Sequence, residues 1–243
     1  SASFGFKKVT ETEKVSLVNN VFTSVTKNYD LMNDLMSFGL HRSWKSYFLL
    51  CSQIKKGDKV LDLAAGTGDI TRLISKTVGD SGQVVSCDIN YSMLSQGRDN
   101  LIDKGVLDNV LYVQSDAQSL SFEENSFNHV TMAFGLRNTA NISKALKSIY
   151  RALKPGGSLQ VLEFSKAEKI IEKPYSLFLN NFIPFLGKHV ARDEDSYKYL
   201  AESIKMHPSQ IELMELMQEN NFQNCTYNNL SLGVVSIHKG YKI

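Results

Sequence analysis

The chain is poor in the residues that make a disulfide scaffold, a metal site or a membrane span. Its three cysteines, Cys51, Cys87 and Cys225, are odd in number, lie far apart and form no Cys-x-x-Cys pair. Neither a disulfide framework nor a zinc site is indicated, and a reducing compartment fits best. No stretch approaches the roughly 20 apolar residues of a spanning helix, and the N-terminus carries no signal-peptide apolar core. An excess of one charge is lacking too. A formal net charge of +2 argues against a dedicated nucleic-acid binder, which shows a basic face or a much higher pI. Repeats, low-complexity tracts and charge runs are absent, and nothing reads as a linker between independent domains. What is there is 243 residues, 42% of them hydrophobic, enough to bury one sizeable core in one domain with decorations.

The chain is organised around Val60 to Asp69. An apolar run with one acid, Val60 to Leu63, reads as a buried parallel strand that passes through Ala64, Ala65, Gly66 and Gly68 into the helical Ile70 to Thr77. The small residues let the backbone approach a ligand, and the free N–H groups at the helix start suit an anionic group. A dinucleotide fingerprint needs a third glycine where this chain has Thr71. The second strand, Gln83 to Asp88, ends in an acid beside that loop, placed to accept hydrogen bonds from both hydroxyls of a ribose. The plainer role for Asp88 is to cap the next helix, for which Asn90 and Ser92 compete. After a third strand, Val110 to Gln114, Asp116 can reach an adenine amino group with Ala117 beside the ring, or can simply make a turn.

A fourth strand, Phe127 to Phe134, leaves through Gly135-Leu136-Arg137-Asn138 toward the same edge. A helix from Ile142 to Leu153 follows, then a structural turn at Lys154-Pro155-Gly156-Gly157 and a fifth strand, Ser158 to Phe164. Gln223 to Leu230 and Val234 to Tyr241 form the last pair. Residues 1–12 read as a flexible or docking arm, Glu13 to Tyr29 as an amphipathic helix, and Asp30 to Cys51 as a helical region interrupted near Ser37 to Gly39. The stretch 166–220 is too long for a simple connection and should carry its own helices. With the N-terminal helices 13–51 it can cover the carboxyl edge of the sheet as a substrate lid. The fold class is α/β: a Rossmann-like sheet of about seven strands, mostly parallel, with helices on both faces and a helical lid.

The loop resembles the acidic-x-x-x-Gly-x-Gly loop of class I S-adenosylmethionine-dependent methyltransferases, with Asp62 as the acid. A narrower resemblance rests on Tyr29-Asp30-Leu31-Met32-Asn33 with Ser37, His41 and Trp44, and on Phe134-Gly135-Leu136-Arg137-Asn138. It extends through Arg151-Ala152-Leu153-Lys154-Pro155-Gly156-Gly157, Glu163-Phe164-Ser165, and the run from Asp195 to Ile204. Over essentially the whole chain these motifs resemble the ubiquinone and menaquinone biosynthesis C-methyltransferases. Ala152 departs from the family's usual valine, a packing change. Ala133 departs from a serine near the cofactor, a contact that a backbone group can supply.

The resemblance implies S-adenosylmethionine as cofactor, held by Asp62, Ala64, Gly66, Thr67, Gly68, Asp88, Asp116, Ala117 and Ala133. It implies methyl transfer to a ring carbon of a 2-polyprenyl-6-methoxy-1,4-benzoquinol or of demethylmenaquinol, with no metal. Carbon is a poor nucleophile unless the ring is electron-rich. The site must therefore align the reactants and take up or stabilise the charge left when a phenolic proton departs. Arg137 is the group placed nearest that phenolate, to stabilise the oxyanion and orient a water that carries the proton away. Its alternative is an ion pair that fastens the loop, which Asn138 helps to hold.

Tyr29, Asp30, Asn33, His41, Tyr197 and His207 are the substrate-side candidates. An imidazole ordinarily titrates near neutrality, so His41 can act as a base, yet its spacing from Trp44 equally suits a structural contact. Tyr197 and Tyr199, two apart on a helix, cannot share a face. The apolar stripe from Tyr175 to Leu186 reads as core, or as a tunnel or membrane contact for a lipid tail. The implied partners are a lipid quinol, a membrane surface touched peripherally, and a homodimer or quinone-biosynthesis assembly, with no nucleic acid. The implied location is the bacterial cytoplasm at the inner membrane, or the mitochondrial matrix. Two other readings stand. A methyltransferase acting on RNA or protein would carry an Asn-Pro-Pro-Tyr type of motif after the fourth strand, and a nucleotide-binding protein without methyl transfer would carry the third glycine.

Overall fold

The run Val60 to Leu63 is buried on both faces of a sheet, which explains why it reads as unbroken apolar sequence rather than as an alternation. The computed structural model describes residues 1–106, 108–191 and 193–243. A hairpin of β1 (Ala2–Phe4) and β2 (Lys7–Val9) precedes α1 (Glu11–Val25), α2 (Tyr29–Ser37) and α3 (His41–Leu50). Then come β3 (Lys59–Leu63), α4 (Asp69–Val78), β4 (Gln83–Asp88), α5 (Tyr91–Asp103), β5 (Val110–Gln114), β6 (Phe127–Ala133), α6 (Ile142–Ala152) and β7 (Leu153–Phe164). The insertion holds α7 (Lys169–Leu177), a π-helical turn Phe178–Phe182, the short α8 (Ile183–Leu186), a second π-helical turn Gly187–Ala191, α9 (Glu194–Met206) and α10 (Gln210–Glu219). The chain ends in β8 (Gln223–Leu230) and β9 (Val235–Tyr241).

Seven strands form one sheet in the order β5-β4-β3-β6-β7-β9-β8. Strands β3 to β7 run parallel, and β9 enters antiparallel between β7 and β8. Strand order reverses between β3 and β6, and at such a switch point the loops diverge and leave a crevice at the carboxyl ends. Alternation along β3 sends Val60 to the core shared with α4 and the N-terminal helices, and Leu61 and Leu63 to the core under α6. On α4, Ile70, Ile74 and Val78 recur every four residues and bury one stripe.

The expected elements are present, with three differences. Residues 1–12 take the docking alternative, but as a hairpin: Ala2 pairs with Val9, Phe4 stacks on Tyr199 at 4.1 Å, and the Phe6 N–H donates to Glu202 Oε2 at 3.1 Å. Thr10 then opens α1 through a capping box with Glu13. The fifth parallel strand begins at Leu153 rather than Ser158, because Leu153 pairs with Phe127 before the ladder shifts register. The third difference concerns glycine. Gly68 has φ +86°, and a Cβ there would sit 2.2 Å from Leu101 Cδ1, while a Cβ on Gly97 would sit 2.6 Å from the Gly66 carbonyl oxygen. The close packing expected of a third loop glycine is thus supplied by Gly97, one helix further on.

Since the atom facing Gly97 is backbone, Gly97→Ala cannot be absorbed by a rotamer change. It should destabilise the fold by about 1–3 kcal/mol, read as a lower urea midpoint; an unchanged midpoint would refute the packing role.

Candidate active site

Two strained residues mark the crevice. Ala64 after β3 and Phe134 after β6 have φ of +51° and +57°, a region that costs a side-chain-bearing residue on the order of 1–3 kcal/mol and collects at ligand sites. Both are held by the sheet: the Ala65 N–H donates to the Cys87 carbonyl at 3.1 Å, and the Phe134 N–H to the Leu162 carbonyl at 2.7 Å. A Cβ on Gly135 would meet Ala64 Cβ at 2.3 Å, so the loops touch here and only glycine fits.

Three cavities surround this contact. The largest of the three is roofed by Val15, Val18, Asn19 and Phe22 of α1 and bordered by Ala64, Gly66, Asp88, Asp116, Ala117 and Asn138. A second lies behind the glycine loop among Asp62, Ala64, Thr67, Asp69, Lys45 and Ala133. A third, a narrow cleft with room for about one water, is bounded by Asn33, His41, Arg137 and Phe164. Tyr29 and Phe134 line all three and form the partition between them.

The roof is pinned at both rims. Asn90 Nδ2 donates to Asn19 Oδ1 and Thr23 Oγ1, both at 2.8 Å. Lys14 Nζ donates to the carbonyls of Thr139 at 2.7 Å and Arg137 at 3.3 Å. Burial lowers the Lys14 ammonium to about 8.

The first two cavities bring together polar groups of the kind that hold a nucleoside and an amino-acid tail. The Asp88 carboxylate accepts the Gly66 N–H at 2.9 Å on Oδ2 and the Asn90 N–H at 2.8 Å on Oδ1, leaving a lone pair on each oxygen for a ribose hydroxyl. Burial raises this carboxyl above its usual range, opposed by those N–H bonds. Helix α5 is capped by Asn90, whose Oδ1 accepts the Met93 N–H at 2.8 Å, so the capping role considered for Asp88 is taken. Asp116 caps the turn Ala117–Ser119 through the Gln118 N–H at 2.9 Å and also lines the crevice. Thr67 Oγ1 is buried with no partner among the described residues, a hydroxyl available to a ligand. Asp62 accepts from Thr71 Oγ1 at 2.6 Å and Thr131 Oγ1 at 2.8 Å, tying α4 and β6 to β3, and burial pushes it up to about 6. Gly68 borders none of the three cavities; its place is the packing against Leu101.

The substrate-side candidates divide. Tyr29, Asn33, His41 and Arg137 come together around the third cavity, and burial pushes the Tyr29 phenol up to about 12. Asp30 is exposed on the outer face of α2. Tyr197 lies apart from them: it packs on Gly187, whose added Cβ would meet its Cβ at 2.6 Å, and borders none of the three cavities. Its neighbour Tyr199 instead donates to Asn138 Oδ1 at 2.9 Å. His207 is buried below α9, held down to about 3 by burial and by the Arg137 charge, and lies outside these cavities.

Arg137 is ion-paired. Its Nη1 donates to Glu163 Oε1 and to the Phe134 carbonyl, both at 2.7 Å, and its Nε to Ser203 Oγ at 3.3 Å. Its own N–H reaches Glu163 Oε2 at 3.2 Å. Asn138 Nδ2 adds a 3.3 Å bond to the same Phe134 carbonyl. Sequence reading missed Glu163, Lys14, Asn90 and Gly97 as parts of this site. The available signals were an acid inside an apolar strand and a glycine inside a helix.

A nucleoside crevice at the switch point, a glycine loop and a carboxylate ending the second parallel strand define an S-adenosylmethionine-dependent methyltransferase of class I type. The fold is similar to that of such a methyltransferase from Thermotoga maritima, with a TM-score of 0.65 over 92% of this chain and 100% of that one, at 16% identity. It is also similar to Haemonchus contortus phosphoethanolamine N-methyltransferase 2 in complex with S-adenosylmethionine, with a TM-score of 0.61 over 82% of this chain and 52% of that one, at 17% identity. The chain belongs to the ubiE/COQ5 methyltransferase family, whose model matches residues 7–242. Relatives named ubiquinone/menaquinone biosynthesis C-methyltransferase are 52% identical in Pseudoalteromonas translucida, over 98% of this chain and 96% of the relative, and 53% identical in Haemophilus ducreyi, over 98% and 93%.

Asp88→Ala should weaken S-adenosylmethionine binding by roughly 1–3 kcal/mol, the cost of unpaired ribose hydroxyls. Calorimetry showing unchanged affinity would remove Asp88 from the site.

Proposed function

We propose that the chain methylates a ring carbon of a prenylated quinol, a methoxybenzoquinol or demethylmenaquinol, as the names of its relatives suggest. The observation that carries this reading is the third cavity, which meets the cofactor cavities at the Tyr29 and Phe134 partition and has a guanidinium in its wall. When bound, S-adenosylmethionine supplies an electrophilic methyl group on a sulfonium. Its nucleoside would be held by Asp88, Asp116, Ala117 and Gly66, and its amino-acid end by Asp62, Thr67, Ala64 and Ala133.

The chain's own groups then have to generate and align a carbon nucleophile. Arg137 has Nη1 and Nε committed to protein acceptors. Nη2 has no partner among the described residues and is the donor left for a quinol oxygen gaining negative charge. Tyr29, kept protonated by burial, acts as wall and donor at neutral pH rather than as a base. Helix α1, tied down at Lys14 and Asn90, keeps water from the crevice. The helices of 13–51 and 166–220 form the lid over the substrate.

Labelled S-adenosylmethionine supplied with a short-tailed demethylmenaquinol and, separately, a methoxybenzoquinol should place label on a ring carbon by mass spectrometry. Cofactor binding with neither quinol labelled would overturn the substrate reading in favour of another acceptor.

A lipid tail also needs somewhere to enter. No helix among the described residues is long and apolar enough to cross a membrane. The turn between α2 and α3 nevertheless presents Phe38, 72% exposed, whose ring lies 5.3 Å from Phe178 and 6.2 Å from Phe182. Leu177, Phe185 and Ile170 of the same insertion are exposed as well. We assign it to contact with the membrane that holds the substrate. Phe38→Ser with Phe182→Ser should lower co-sedimentation with phospholipid vesicles severalfold; wild-type binding by the double variant would refute the assignment.

A further inference from the structure

His41 stands at the start of α3 and is 4% exposed. Its Nε2 lies 2.9 Å from Asp34 Oδ1, one turn before the end of α2. A carboxylate can only accept, so this contact places the imidazole proton on Nε2. The other nitrogen, Nδ1, is buried and has no hydrogen-bond partner among the described residues. An orphaned acceptor deep in a protein is costly, and this one belongs to a side chain in the wall of the third cavity, together with Arg137, Tyr29 and Asn33. Trp44, whose spacing suggested a structural contact with this histidine, is engaged elsewhere: its Nε1 donates to Ser231 Oγ at 2.9 Å.

Taking a quinol as the substrate, we propose that the Asp34–His41 pair is the general base of the reaction, with Nδ1 accepting the phenolic proton while Arg137 holds the oxygen. Asp34 is then a positioning residue, fixing the tautomer and stabilising the imidazolium, as a carboxylate behind a histidine does in other sites. The phenolic O–H bond breaks, its proton goes to Nδ1, and the electron pair enters the ring. The ring carbon forms the new bond to the methyl carbon, and the pair of the breaking C–S bond stays on sulfur. The proton displaced from that ring carbon leaves to water, and His41 returns its own proton to the oxygen. One proton is released overall, which balances the lost sulfonium charge.

The surroundings keep the imidazole neutral and ready to accept. Burial lowers its pKa from the ordinary value, assisted by Lys45 and opposed by Asp34, with Arg42 a smaller cationic influence. Lys45 itself is paired with Asp69 of α4 at 2.8 Å, and Asp34 also accepts from Arg42 at 2.8 Å. The other polar groups lining this cavity are Arg137, paired with Glu163 of β7, and, from α2 itself, Tyr29 and Asn33.

The test uses a short-chain prenylated nitrophenol, whose phenolate absorbs in the visible, bound to the full chain with S-adenosylhomocysteine. The wild type should ionise it at lower pH than His41→Asn, by about one unit or more, with Asp34→Asn in between. Single-turnover methylation at saturating cofactor should fall by about a hundredfold in His41→Asn, and its rate should lose the decline that protonation of His41 imposes at acid pH. Should His41→Asn not fold, His41→Gln, which keeps an amide near Asp34 but offers no base, serves the same comparison. A variant that matches the wild type in both phenol ionisation and pH profile would overturn the assignment. A wild type that ionises the phenol through His41 yet methylates no quinol would overturn the substrate reading and leave the assignment of the base standing.

Discussion

A carboxylate inside a fully buried strand costs several kcal/mol unless a cation comes to it, and the structure is arranged so that one does. Glu163 of β7 is completely enclosed and takes both the Arg137 guanidinium and the Arg137 N–H. That pair fixes the loop after β6, and the rest of the site is registered on this loop. Ser203 attaches α9 to it, Lys14 attaches α1 through the loop's carbonyls, and Asn138 reaches Tyr199, on which Phe4 of the first hairpin stacks. Elements far apart in sequence thus share one anchor, and the helices over the crevice are held by the same contacts that shape its floor.

The strain at Ala64 and Phe134 follows from this anchoring. Both residues sit where a parallel strand leaves the sheet at the switch point, and both turn into the left-handed region within touching distance of each other's loop. A relaxed backbone would let the loops splay and close the cavities that meet at Tyr29 and Phe134. The ladder bonds from Ala65 and Phe134 to the neighbouring strands, together with the Arg137 bond to the Phe134 carbonyl, keep them in place. Rigid framing is what a displacement reaction between two bound partners requires, because small errors in alignment forfeit much of the advantage of proximity.

The parallel sheet was legible because its signals are local: apolar runs of strand length, each ended by glycine, proline or an acid. Asp88 was legible for the same reason, as an acid at a strand end. What the sequence hides is pairing at a distance. Glu163 appears in a recognisable motif, but nothing in the letters says that its partner lies 26 residues earlier. Gly97 looks like a helix defect until the Gly66 carbonyl is placed against it. The hairpin at the start uses three-residue strands, too short for a periodicity, and its stability comes from α9. Tyr197 and Tyr199 could be told apart only by their neighbours. They do face different ways, Tyr197 toward Gly187 and Tyr199 toward Asn138.

Arg137 admitted two roles from sequence, loop fastener or oxyanion partner, and the geometry removes the opposition between them. A guanidinium carries five donors in a rigid plane. Once Glu163, the Phe134 carbonyl and Ser203 have engaged Nη1 and Nε, the plane can no longer rotate, and the direction of the remaining Nη2 donors is set by the protein rather than by the ligand. A lysine in the same place would bring charge without fixed direction. The ion pair is therefore compatible with the proposed oxyanion role, since a donor aimed before charge develops needs no reorganisation when it does. It also explains why a separate base is chemically reasonable here: a guanidinium engaged by Glu163 offers donors to a phenolate but no acceptor for its proton.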